Sequence, residues 1–556
     1  MASPSWQQRE KGYIENATIR ESCFAFTCNL LLMQTFSRLL MAASLWTLVA
    51  CQTAPPLPPA DALPAPDLTV QGTYPPLEGR PALSRDAIDR QVLSHLMTEG
   101  EFRWDMVDDH TRWSALVRTD SIVSIGYQPE GFQGLAEHIH EVDVQDPAWR
   151  AVREALIDFV VTQTNLRNGQ ALAARDLLAF GESPLPYFNI KVWDYELLAQ
   201  LRRMKVVRYA EPMGYGTETD FSRSESGCDG NPAENIPPAD YTTIAPGAKV
   251  SWNFASMNIQ GAWQQSTGNN ITVGLIDTGL SPDQDKLNGG FASGYSTNRF
   301  RQKYGTFVTG WWWWASVDGP NDDCGHGTSM AGVIAAPRTA SGSAVGVAYE
   351  ANLVSYRGTD DVVINESREK DGVSDALYAL GSRSDVRIIS MSLGDVFYSG
   401  QVNDAVQYAY NQGKLIFAAA GTSLSWTSWW GVIFPANLST TVAVTGVKTG
   451  SSLQRCDICH DGSQVDFVVE MQDANDANRL PITLAQSGDA PGRVGGSSVA
   501  TATTAGIAAL VWAVNPGQNR SQVLQRMKEA SQFYPSRNGS FGWGKIDAQA
   551  AVAAVQ

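Results

Sequence analysis

The chain has 556 residues, of which 43% are hydrophobic and 18% are charged. This balance is typical of globular proteins and excludes a globally disordered chain, and the length allows two or three domains. The net charge of −16, together with the lack of any run of Lys or Arg, excludes a nucleic-acid binder that works through a basic patch.

An export signal is predicted near the N-terminus. Residues 1–32 match no signal and form an upstream extension. The apolar run 39–50 spans 12 residues, too short to cross a bilayer but suited to the core of a signal peptide. It ends at Cys51, and small residues before a cysteine resemble the lipobox of bacterial lipoproteins, in which that cysteine is lipidated. An ordinary signal peptide, or a short anchor helix that contains Cys51 by chance, is the alternative.

Residues 51–84 are rich in Pro and Ala and are predicted to form a tether between a lipid anchor and the first folded unit. Together with the extension and signal in residues 1–50, this tether indicates a protein exported to the bacterial cell envelope and anchored to the membrane by lipid. Lipoproteins carry several lipid chains, and several chains make such anchoring stable.

A separate α+β unit is predicted over residues 85–213. The stretch "DPAWRAVREALIDFVVTQT" carries apolar residues at helical spacing. After it, a strand at 188–192, a helix at 194–203 and a strand at 206–209 follow one another. Residues 214–249 are rich in Gly, Ser, Pro and acidic residues and lack periodicity, so they are predicted to be a linker.

From residue 250 to residue 556, short apolar strands alternate with helices. The strands include "ITVGLID", "NLVSYR", "VRIISMSL", "LIFAAAG" and "TVAVTGV". Strands that are apolar on both faces and alternate with helices predict a buried parallel sheet in an α/β fold. In such folds the functional groups gather at the carboxyl ends of the strands.

Three segments of this region place reactive side chains at the boundaries of elements. Asp277 ends the strand of "ITVGLIDTG", where a buried carboxylate needs a partner. His326 lies between two glycines at the start of the helix in "DDCGHGTSMAGVIAA". Ser497 and Ser498 begin the helix of "GGSSVATATTAGIAALVW", where unsatisfied N–H groups and the helix dipole suit a developing oxyanion.

The order Asp-Thr-Gly, His-Gly-Thr and Gly-x-Ser-x-Ala in residues 250–556 resembles the subtilisin-like serine proteases, the subtilase family. The segments "GVAYEANLVSYR", "ISMSLG" and "FGWGKIDAQAAV" add to the resemblance. It implies a catalytic domain of α/β class with a mostly parallel central sheet flanked by helices, preceded by a small α+β propeptide-like domain.

The resemblance implies a role for each motif residue. Asp277 orients His326, and His326 acts as general base and then as general acid. Ser498 is the nucleophile of an exported serine endopeptidase that forms an acyl-enzyme with a protein or peptide substrate. Ser498 fits the Gly-x-Ser-x-Ala register, so Ser497 is predicted to be the N-cap of the helix.

One position departs from the family pattern. Where the family has an asparagine that donates to the oxyanion, the segment "FAAAGTS" has Thr422, a single donor on a shorter arm. Ser392 and Gly394 of "ISMSLG" are expected to line the substrate cleft. Because the loss of one oxyanion donor costs about 10²–10³ in rate, a catalytically weak or inactive binding or scaffold protein with the subtilase fold is the alternative function.

The resemblance also suggests partners. The unit at 85–213 resembles a propeptide in its last helix and strand, "LAQLRRMKVVRYAEPM", and would then chaperone folding and inhibit the enzyme within the same chain. Its length favours a permanent accessory domain as the alternative. Structural calcium is suggested by the family alone, because the sequence has no dense cluster of ligands, and no metal site is predicted.

Tryptophans are concentrated in two segments. "GWWWWASVDGPNDD" spans 310–323, and "WTSWWG" spans 426–431. The first is predicted either as a strand and loop packed over the core or as an aromatic wall near His326, which lines substrate subsites or docks the N-terminal unit. The second segment is a candidate for the same surface.

The segment "RCDICHDG" contains Cys456, Cys459 and His460 at the C-x-x-C-H spacing of a c-type haem site. With the three N-terminal cysteines set aside, these two and Cys228 and Cys324 allow three disulfide pairings. The resemblance places the segment in the surface turn of a hairpin, which offers no haem pocket. Of the three pairings, Cys456–Cys459 with Cys228–Cys324 is preferred, because the second bond would tie the linker to the segment that carries His326, and His460 is then a bystander.

Overall fold

The computed structural model describes most of the chain after the predicted signal. The described residues belong to one compact unit, Leu57–Gln556. They are residues 65–169, 171–217, 228, 230–310, 316–422 and 431–554. The upstream extension, the predicted signal with Cys51, and the first part of the tether lie outside the described residues.

The first folded part is an antiparallel sheet accompanied by helices. Its strands lie in the order β2-β3-β1-β4, and each neighbouring pair is antiparallel. The strands are β1 (Ile122–Tyr127), β2 (Leu178–Ala179), β3 (Tyr187–Lys191) and β4 (Val207–Pro212). The helices are α1 (Arg85–Glu99), α2 (Asp109–Leu116), α3 (Leu135–His138), α4 (Pro147–Asn168), α5 (Ala174–Leu177) and α6 (Tyr195–Leu201). The strand, helix and strand predicted between 188 and 209 correspond to β3, α6 and β4.

Helix α4 follows directly from its sequence. Pro147 occupies the first turn, where its missing N–H has no helical partner to lose, and Gly169 ends the helix in the left-handed conformation with φ +62°. Between them, Trp149, Val152 and Leu156 are buried in one cluster with the residues of β1 and β3. Their spacing is that of a single helix face. This packing builds the core of the N-terminal unit.

Part of the stretch 214–249, predicted to be a linker, is folded. It contains β5 (Tyr241–Ile244) and the start of β6 (Ala248–Ser251), which pair in antiparallel fashion. The turn between the two strands includes Pro246 and Gly247, and this pair of residues favours a tight turn. Strands of four residues are too short for a period-2 pattern to stand out, so the periodicity did not reveal them.

A seven-stranded parallel sheet forms the centre of the second half of the chain. Its strands lie in the order β15-β14-β13-β12-β7-β11-β8, each parallel to its neighbours. They are β7 (Thr272–Asp277), β8 (Arg301–Gly305), β11 (Asn352–Arg357), β12 (Val386–Met391), β13 (Leu415–Ala419), β14 (Val442–Lys448) and β15 (Val465–Gln472). Short antiparallel pairs lie outside the sheet: β9 (Val308–Thr309) with β10 (Ser316–Val317), and β16 (Ile482–Leu484) with β17 (Pro491–Arg493).

Helices cover both faces of this sheet. They are α7 (Ile259–Ala262), α8 (His326–Ala335), α9 (Ser367–Ser382), α10 (Gly400–Asn411), α11 (Gly496–Val514), α12 (Arg520–Glu529) and α13 (Ala548–Ala553). Residues of α8 and α11 share a hydrophobic cluster with Val273 and Leu275 of β7. Residues of α9 and α10 share the other large cluster with Ile276 of β7 and Ile389 of β12. The predicted α/β class, with a parallel central sheet flanked by helices, is therefore confirmed.

Helix α11 is a core helix. Among the described residues it alone is long and apolar enough to cross a membrane, yet 83% of its most apolar window is buried inside the protein. Its many Ala, Gly, Ser and Thr residues allow it to pack closely against the sheet and against α8. The helix thus brings its first turn to the edge of the sheet where β7 and β12 end.

The C-x-x-C-H segment connects β14 to β15, and the prediction of a surface hairpin turn is wrong. The two strands are parallel neighbours, so the chain must return along the sheet between them. Cys456, Cys459 and His460 are all buried. The N–H of Cys456 donates to the carbonyl of Gly446 in β14 at 3.0 Å. Two apolar strands that follow each other in sequence do not by themselves distinguish a hairpin from a crossover, which is why the prediction failed.

Candidate active site

Asp277 and His326 are hydrogen-bonded to each other at the carboxyl ends of the strands of the parallel sheet. Asp277 is the last residue of β7, and His326 is the first residue of α8. His326 Nδ1 lies 2.7 Å from Asp277 Oδ1, and the same oxygen accepts the N–H of Thr278 at 2.8 Å. Both side chains of the pair are buried. A carboxylate in this position fixes the orientation of the imidazole and keeps the proton on Nδ1.

A second buried carboxylate, that of Asp322, holds the start of α8 in place. Its Oδ1 accepts the N–H of Gly325 at 2.7 Å, and its Oδ2 accepts the N–H of Thr328 at 2.8 Å. The hydroxyl of Thr278 donates to Oδ1 of the same carboxylate at 2.8 Å, which ties this cap to the residue after β7. Asp322 was not among the residues predicted from the sequence. The signal for it is an aspartate three residues before the glycine that precedes a helix, since such a carboxylate can accept the N–H groups at the helix start.

The charges around His326 favour its protonated form. Burial alone would lower its pKa, but the carboxylate of Asp277 and, more weakly, those of Asp322 and Asp361 outweigh burial, so the pKa of His326 is raised above its ordinary value. Burial also raises the pKa of Asp322, although its hydrogen bonds oppose the shift. An imidazole with a raised pKa is a stronger base for the proton of a nearby hydroxyl.

Ser498 lies in the first turn of α11, next to the strand that neighbours β7. Its hydroxyl donates to the carbonyl of Ser392 at 3.4 Å, and the hydroxyl of Ser392 donates to the carbonyl of Ser498 at 3.0 Å. Ser392 is the first residue after β12, which pairs in parallel with β7. Ser392 is therefore level with Asp277 on a strand about 4.8 Å away. The structure thus brings Ser498 to the strand end that carries the Asp277–His326 pair.

In the part of the chain that the structure describes, the hydroxyl of Ser498 is hydrogen-bonded to Ser392 and not to His326. Catalytic hydrogen bonds are often long in the absence of substrate and tighten when substrate binds. The first turn of α11 also presents N–H groups that have no helical acceptor, at the positive end of the helix dipole. These groups can stabilise an oxyanion formed beside Ser498.

Ser497 is not the N-cap of α11, and this prediction is wrong. The helix begins at Gly496 with Gly495 in the N-cap position, so Ser497 lies inside the first turn, where it is buried. Its N–H donates to Thr422 Oγ1 at 3.1 Å, and the two hydroxyl oxygens lie 2.8 Å apart. Thr422, from a distant part of the chain, thus supplies the acceptor that a capping side chain would otherwise provide.

The hydroxyl of Thr422 is hydrogen-bonded to the first turn of α11 and lies beside Ser498. A hydroxyl oxygen accepts two hydrogen bonds and donates one. Thr422 accepts the N–H of Ser497 and shares a second hydrogen bond with the Ser497 hydroxyl, in which either oxygen can donate. Thr422 also lines a small cavity together with the other residues predicted for the substrate cleft, Ser392 and Gly394, and with Ser498. The structure thus brings the predicted nucleophile, oxyanion and substrate residues together.

The cavity next to Ser498 is narrow. Its volume is about 40 Å³, whereas an apolar cavity that binds benzene measures about 150 Å³. Ile433, which the sequence analysis did not identify, lines it opposite Gly394, and a Cβ added to Gly394 would lie 2.8 Å from Ile433 Cδ1. Asp395 borders the cavity as well, but Lys370 Nζ lies 3.4 Å from its carboxylate and balances its charge. The described lining of the cavity is thus narrow and carries no unbalanced charge.

The structure contains the disulfide pairing that the sequence analysis preferred. The two bonds are Cys228–Cys324 and Cys456–Cys459. Cys324 precedes His326 by two residues, so the first bond ties the chain before β5 to the start of α8. Beside this bond, Gly325 has φ +87°, and a Cβ added to it would lie 2.9 Å from the carbonyl carbon of Gly230. Only glycine fits both the conformation and the space.

Two further expectations concern metals and aromatic surfaces. Among the described residues, no group of three or more His, Cys, Asp or Glu side chains is placed to hold a metal ion. Structural calcium thus remains an expectation that rests on the family alone. The tryptophans of the expected aromatic wall fall on residues 311–315, and those of the second segment fall on 426–430. Both stretches lie outside the described residues.

Known proteins resemble this chain over its second half. The model of the Subtilase family matches residues 268–544. The subtilisin of Bacillus pumilus is 30% identical over 292 residues, which cover 52% of this chain and 93% of that protein. The minor extracellular protease Epr of Bacillus subtilis (strain 168) is 28% identical over 320 residues, 56% of this chain and 44% of that protein. The chain therefore spans less than half the length of Epr.

A solved structure shares the fold. Fervidolysin from Fervidobacterium pennivorans, a keratinolytic enzyme related to subtilisin, matches with a TM-score of 0.52 over 78% of this chain and 61% of that chain. The identity is 17%, so this similarity concerns the fold alone. The family match, in contrast, spans Asp277, His326 and Ser498, and nearly the whole of one subtilisin aligns with this chain. The chain belongs to the subtilase family.

Proposed function

We propose that the protein is an exported serine endopeptidase that hydrolyses peptide bonds through Asp277, His326 and Ser498. The observation that carries the proposal is the buried hydrogen bond of 2.7 Å between His326 Nδ1 and Asp277 Oδ1, at the strand end to which α11 brings Ser498. Membership of the subtilase family supports serine protease chemistry on these residues.

In the first half of the reaction, Ser498 Oγ attacks the scissile carbonyl carbon, and His326 Nε2 takes its proton. Asp277 holds the Nδ1–H and stabilises the imidazolium that forms. N–H groups of the first turn of α11 and the hydroxyl of Thr422 stabilise the negative oxygen of the tetrahedral intermediate. The C–N bond then breaks, His326 gives its proton to the leaving amine, and an acyl-enzyme remains on Ser498.

In the second half, water attacks the acyl carbon and gives a proton to His326 Nε2. The ester bond to Ser498 breaks, and the proton returns to Oγ as the carboxylic acid product leaves. His326 must be neutral at the start of each half, so the reaction needs a pH above the pKa of this residue.

The substrate is a protein or peptide with a small, uncharged side chain on the residue whose carbonyl is attacked. The cavity of about 40 Å³ borders both Ser498 and Thr422, so we propose it as the pocket for that side chain. In a pocket of this kind, one additional methylene changes the specificity ratio by about 10- to 200-fold. Large aromatic side chains at this position are therefore poor substrates.

The N-terminal unit is proposed to act as a folding chaperone and an inhibitor within the same chain. Its sheet shares a hydrophobic cluster with α9 and α10 of the catalytic domain. Polar contacts, two of them buried, join the two parts as well. Asn189 Nδ2 donates to Asp371 Oδ1 at 2.8 Å, Ser124 Oγ donates to Gln401 Oε1 at 2.9 Å, and Arg208 Nη1 donates to Asp404 Oδ1 at 3.0 Å.

The segment after β4 supports the inhibitory role. Lys370 Nζ donates to the carbonyl of Met213 at 2.7 Å, and a Cβ added to Gly216 would lie 3.0 Å from Asn365 Cβ. The residues just before Asn365 line the same cavity as Ser498. We therefore propose that the tail of the N-terminal unit occupies part of the substrate cleft.

Export and lipid anchoring complete the proposal. One relative is named as an extracellular protease, and disulfides such as the two in this chain persist in oxidising compartments. Cys51 is proposed as the site of lipid attachment. Mass spectrometry of the mature N-terminus should find a lipid-modified Cys51, whereas a peptide from residues 1–32 would contradict the assignment.

A fluorophosphonate probe tests the proposed activity, because it labels a serine only where a base activates it. We expect the purified protein to be labelled and the label to disappear in Ser498→Ala. Cleavage of a peptide library by the same protein then gives the activity and the side-chain preference together. Folded protein without its N-terminal unit that takes no label would defeat the enzyme proposal.

A catalytically weak or inactive binding protein is the second candidate function. It is favoured by Thr422 in the position of the oxyanion asparagine and by the contact of the Ser498 hydroxyl with Ser392. Absence of label and of cleavage in the experiment above, with a melting transition that shows a folded protein, would select this function.

Ser498→Ala also tests the role of the N-terminal unit. If the protein's own activity removes the unit, the variant accumulates the uncleaved precursor while the wild type is processed. The two chains differ by one hydroxyl, so folding and export should be matched. Identical processing of both chains would argue for another protease or for a unit that is never removed.

A further inference from the structure

His460 is buried beneath Gly421 and Thr422, two residues that are called the corner below. The residue is 0% exposed. Its backbone N–H donates to the carbonyl of Gly421 at 3.0 Å, and its Nδ1 lies 2.7 Å from the carbonyl oxygen of Gly431. Because a carbonyl only accepts hydrogen bonds, Nδ1 carries the proton. One residue therefore holds the chain on both sides of the stretch 422–430.

The disulfide between Cys456 and Cys459 closes the turn that presents His460. Cys459 forms an isolated antiparallel bridge with Thr422. The hydroxyl of Thr445 in β14 donates to the carbonyl of His460. The turn is thus attached to the central sheet on one side and to the corner at Thr422 on the other.

The ring of His460 and the corner are packed too closely to move independently. Gly421 has φ +125°, a conformation that favours glycine, and a Cβ added to it would lie 2.6 Å from His460 Nδ1. Protein interiors packed at this density transmit a displacement of one group to its neighbour. A change in the ring therefore moves Gly421 and the residue that follows it.

The corner in turn meets the helix of the nucleophile. Thr422 Oγ1 accepts the N–H of Ser497, the residue before Ser498, at 3.1 Å. An effective oxyanion donor lies about 2.7–3.1 Å from the oxygen that it stabilises, and a misplacement of about 1 Å costs about 100-fold in rate. The threonine hydroxyl has a shorter reach than an asparagine amide, so its backbone must be held in one place.

We propose that His460 is a positioning residue for the oxyanion side of the active site. It acts through Gly421 and Thr422 and does not touch the substrate, and the disulfide Cys456–Cys459 keeps it in position. The C-x-x-C-H segment holds Thr422 in position, and it is neither a haem site nor a bystander. This inference rests on the proposed endopeptidase function.

Two variants of the full-length chain distinguish the effect of the Nδ1–H donor of His460 from the effect of the volume of its ring. His460→Phe fills the space without a donor, whereas His460→Asn places an amide N–H near the position of Nδ1. We expect His460→Phe to lower kcat by about 10- to 100-fold with KM changed by less than about two-fold. His460→Asn should restore most of kcat, because it restores the hydrogen bond to Gly431.

The chain offers a matched control in His110. Its Nε2 lies 2.9 Å from the carbonyl oxygen of Pro81, so it also binds a backbone carbonyl, but within the N-terminal unit. His110→Phe should leave kcat and KM unchanged. A loss of kcat equal to that of His460→Phe would mean that any such change lowers activity, and it would overturn the inference.

Inhibition by a peptide aldehyde reports on the oxyanion side directly, because the bound hemiacetal oxygen occupies the oxyanion position. In His460→Phe the inhibition constant should rise in proportion to the loss of kcat/KM. The amount of fluorophosphonate label at long times should remain that of the wild type. An aldehyde affinity unchanged in His460→Phe would contradict the proposal even if kcat fell.

The double variant Cys456→Ser/Cys459→Ser serves if His460→Phe does not fold. It leaves the ring in the chain but releases the turn, and we expect a smaller loss of kcat with KM unchanged. Equal kcat in this folded variant and in the wild type would overturn the role of the disulfide. A wild type without label or cleavage would defeat the proposed function. An active wild type whose His460→Phe variant keeps its kcat would defeat this inference alone.

Discussion

The groups on the two sides of Ser498 differ in charge. On the acid–base side, Asp277 and His326 are charged or ionisable groups that contact each other directly, and the carboxylate of Asp322 caps the helix that begins at His326. On the oxyanion side, a single hydroxyl, that of Thr422, is positioned by backbone contacts and a buried disulfide turn. The first side depends on charge, and the second depends on the placement of neutral groups.

This difference explains what a motif can and cannot reveal. A buried carboxylate needs its partner, so each residue of the acid–base side must be present in the sequence in recognisable form. A neutral donor can be replaced by another if the surrounding backbone moves it into range. The oxyanion side can therefore depart from the family pattern without an equal loss of function, provided that distant residues compensate.

The largest expected effect lies on the acid–base side. Asp277→Asn should lower kcat by about 10⁴-fold, because an amide cannot stabilise the imidazolium and favours the wrong tautomer. It should also shift the pH profile of kcat/KM. In the wild type the pKa of His326 is raised above its ordinary value by Asp277, so activity rises through a correspondingly high pH. Without that charge, burial dominates and the rise moves to lower pH.

Asp323 provides the control for this change. Its side chain is 81% exposed and pairs with Arg357 at 3.3 Å, away from the imidazole. Asp323→Asn should leave both kcat and the pH profile in place. A pH–rate measurement in which Asp277→Asn moves the profile upwards, or does not move it, would show that the charge of Asp277 does not set the pKa of His326.

A smaller effect is expected on the oxyanion side. Thr422→Val keeps the shape of the side chain but removes the hydroxyl that contacts Ser497, and kcat should fall by about 10²-fold with KM nearly unchanged. Thr422→Ser retains the hydroxyl and should stay close to the wild type in steady-state kinetics. If valine and serine gave equal rates, backbone N–H groups alone would account for oxyanion stabilisation.

Specificity should change by less than the rate does. Ile433→Ala widens the cavity next to Ser498, so peptides with Leu or Phe at the attacked residue should gain about ten-fold or more in kcat/KM. Peptides with Ala at that position should change little, and they form the internal control. Competition between the two peptide classes measures the ratio. An unchanged ratio would place the specificity pocket elsewhere.

The smallest effect is expected away from both sides, where the N-terminal unit meets the domain with the subtilase fold. Glu211 Oε2 accepts the N–H of Gly400 at 2.8 Å, and burial raises the pKa of Glu211 to about 7. A raised pKa means that the folded state favours the protonated form, so its contribution is present at low pH and is lost as pH rises from about 4.5 to about 7.

Glu211→Gln should remove this contribution to the pH dependence. Between pH 5 and pH 8 the free energy of unfolding of the full chain should fall by about 1–3 kcal/mol less in the variant than in the wild type, so the melting temperature of the variant should fall by fewer degrees. Scanning calorimetry at the two pH values measures the difference. Parallel pH profiles would show that Glu211 is ionised in the folded protein.

The sequence predicted the parallel sheet and the acid–base side because both leave periodic or obligatory signals. Buried strands are apolar on both faces, and Asp277 and His326 lie at fixed positions relative to them. Ser497 was assigned wrongly because its partner, Thr422, is 75 residues away, and no local pattern reports such a contact. For the same reason Ile433 was not predicted to line the cavity, because its neighbour Gly394 belongs to another loop.

The predicted position of the C-x-x-C-H segment was wrong for a topological reason. A hairpin and a crossover can both connect two apolar strands, and the intervening residues carry no clear sign of either. The burial of His460 follows from the crossover, because the chain passes beneath the corner at Gly421 on its way back. Only the arrangement of the sheet reveals that this histidine lies against Gly421.

The disulfide bond between Cys228 and Cys324 determines which fragments of a cleaved chain separate in electrophoresis without a reductant. Any break in the chain between these two residues leaves fragments that stay covalently joined until a reductant is added. A break before Cys228 instead allows the two pieces to separate under denaturing conditions without reduction. Electrophoresis of the purified protein with and without thiol therefore tells on which side of residue 228 the N-terminal unit is cut, before any sequencing is done.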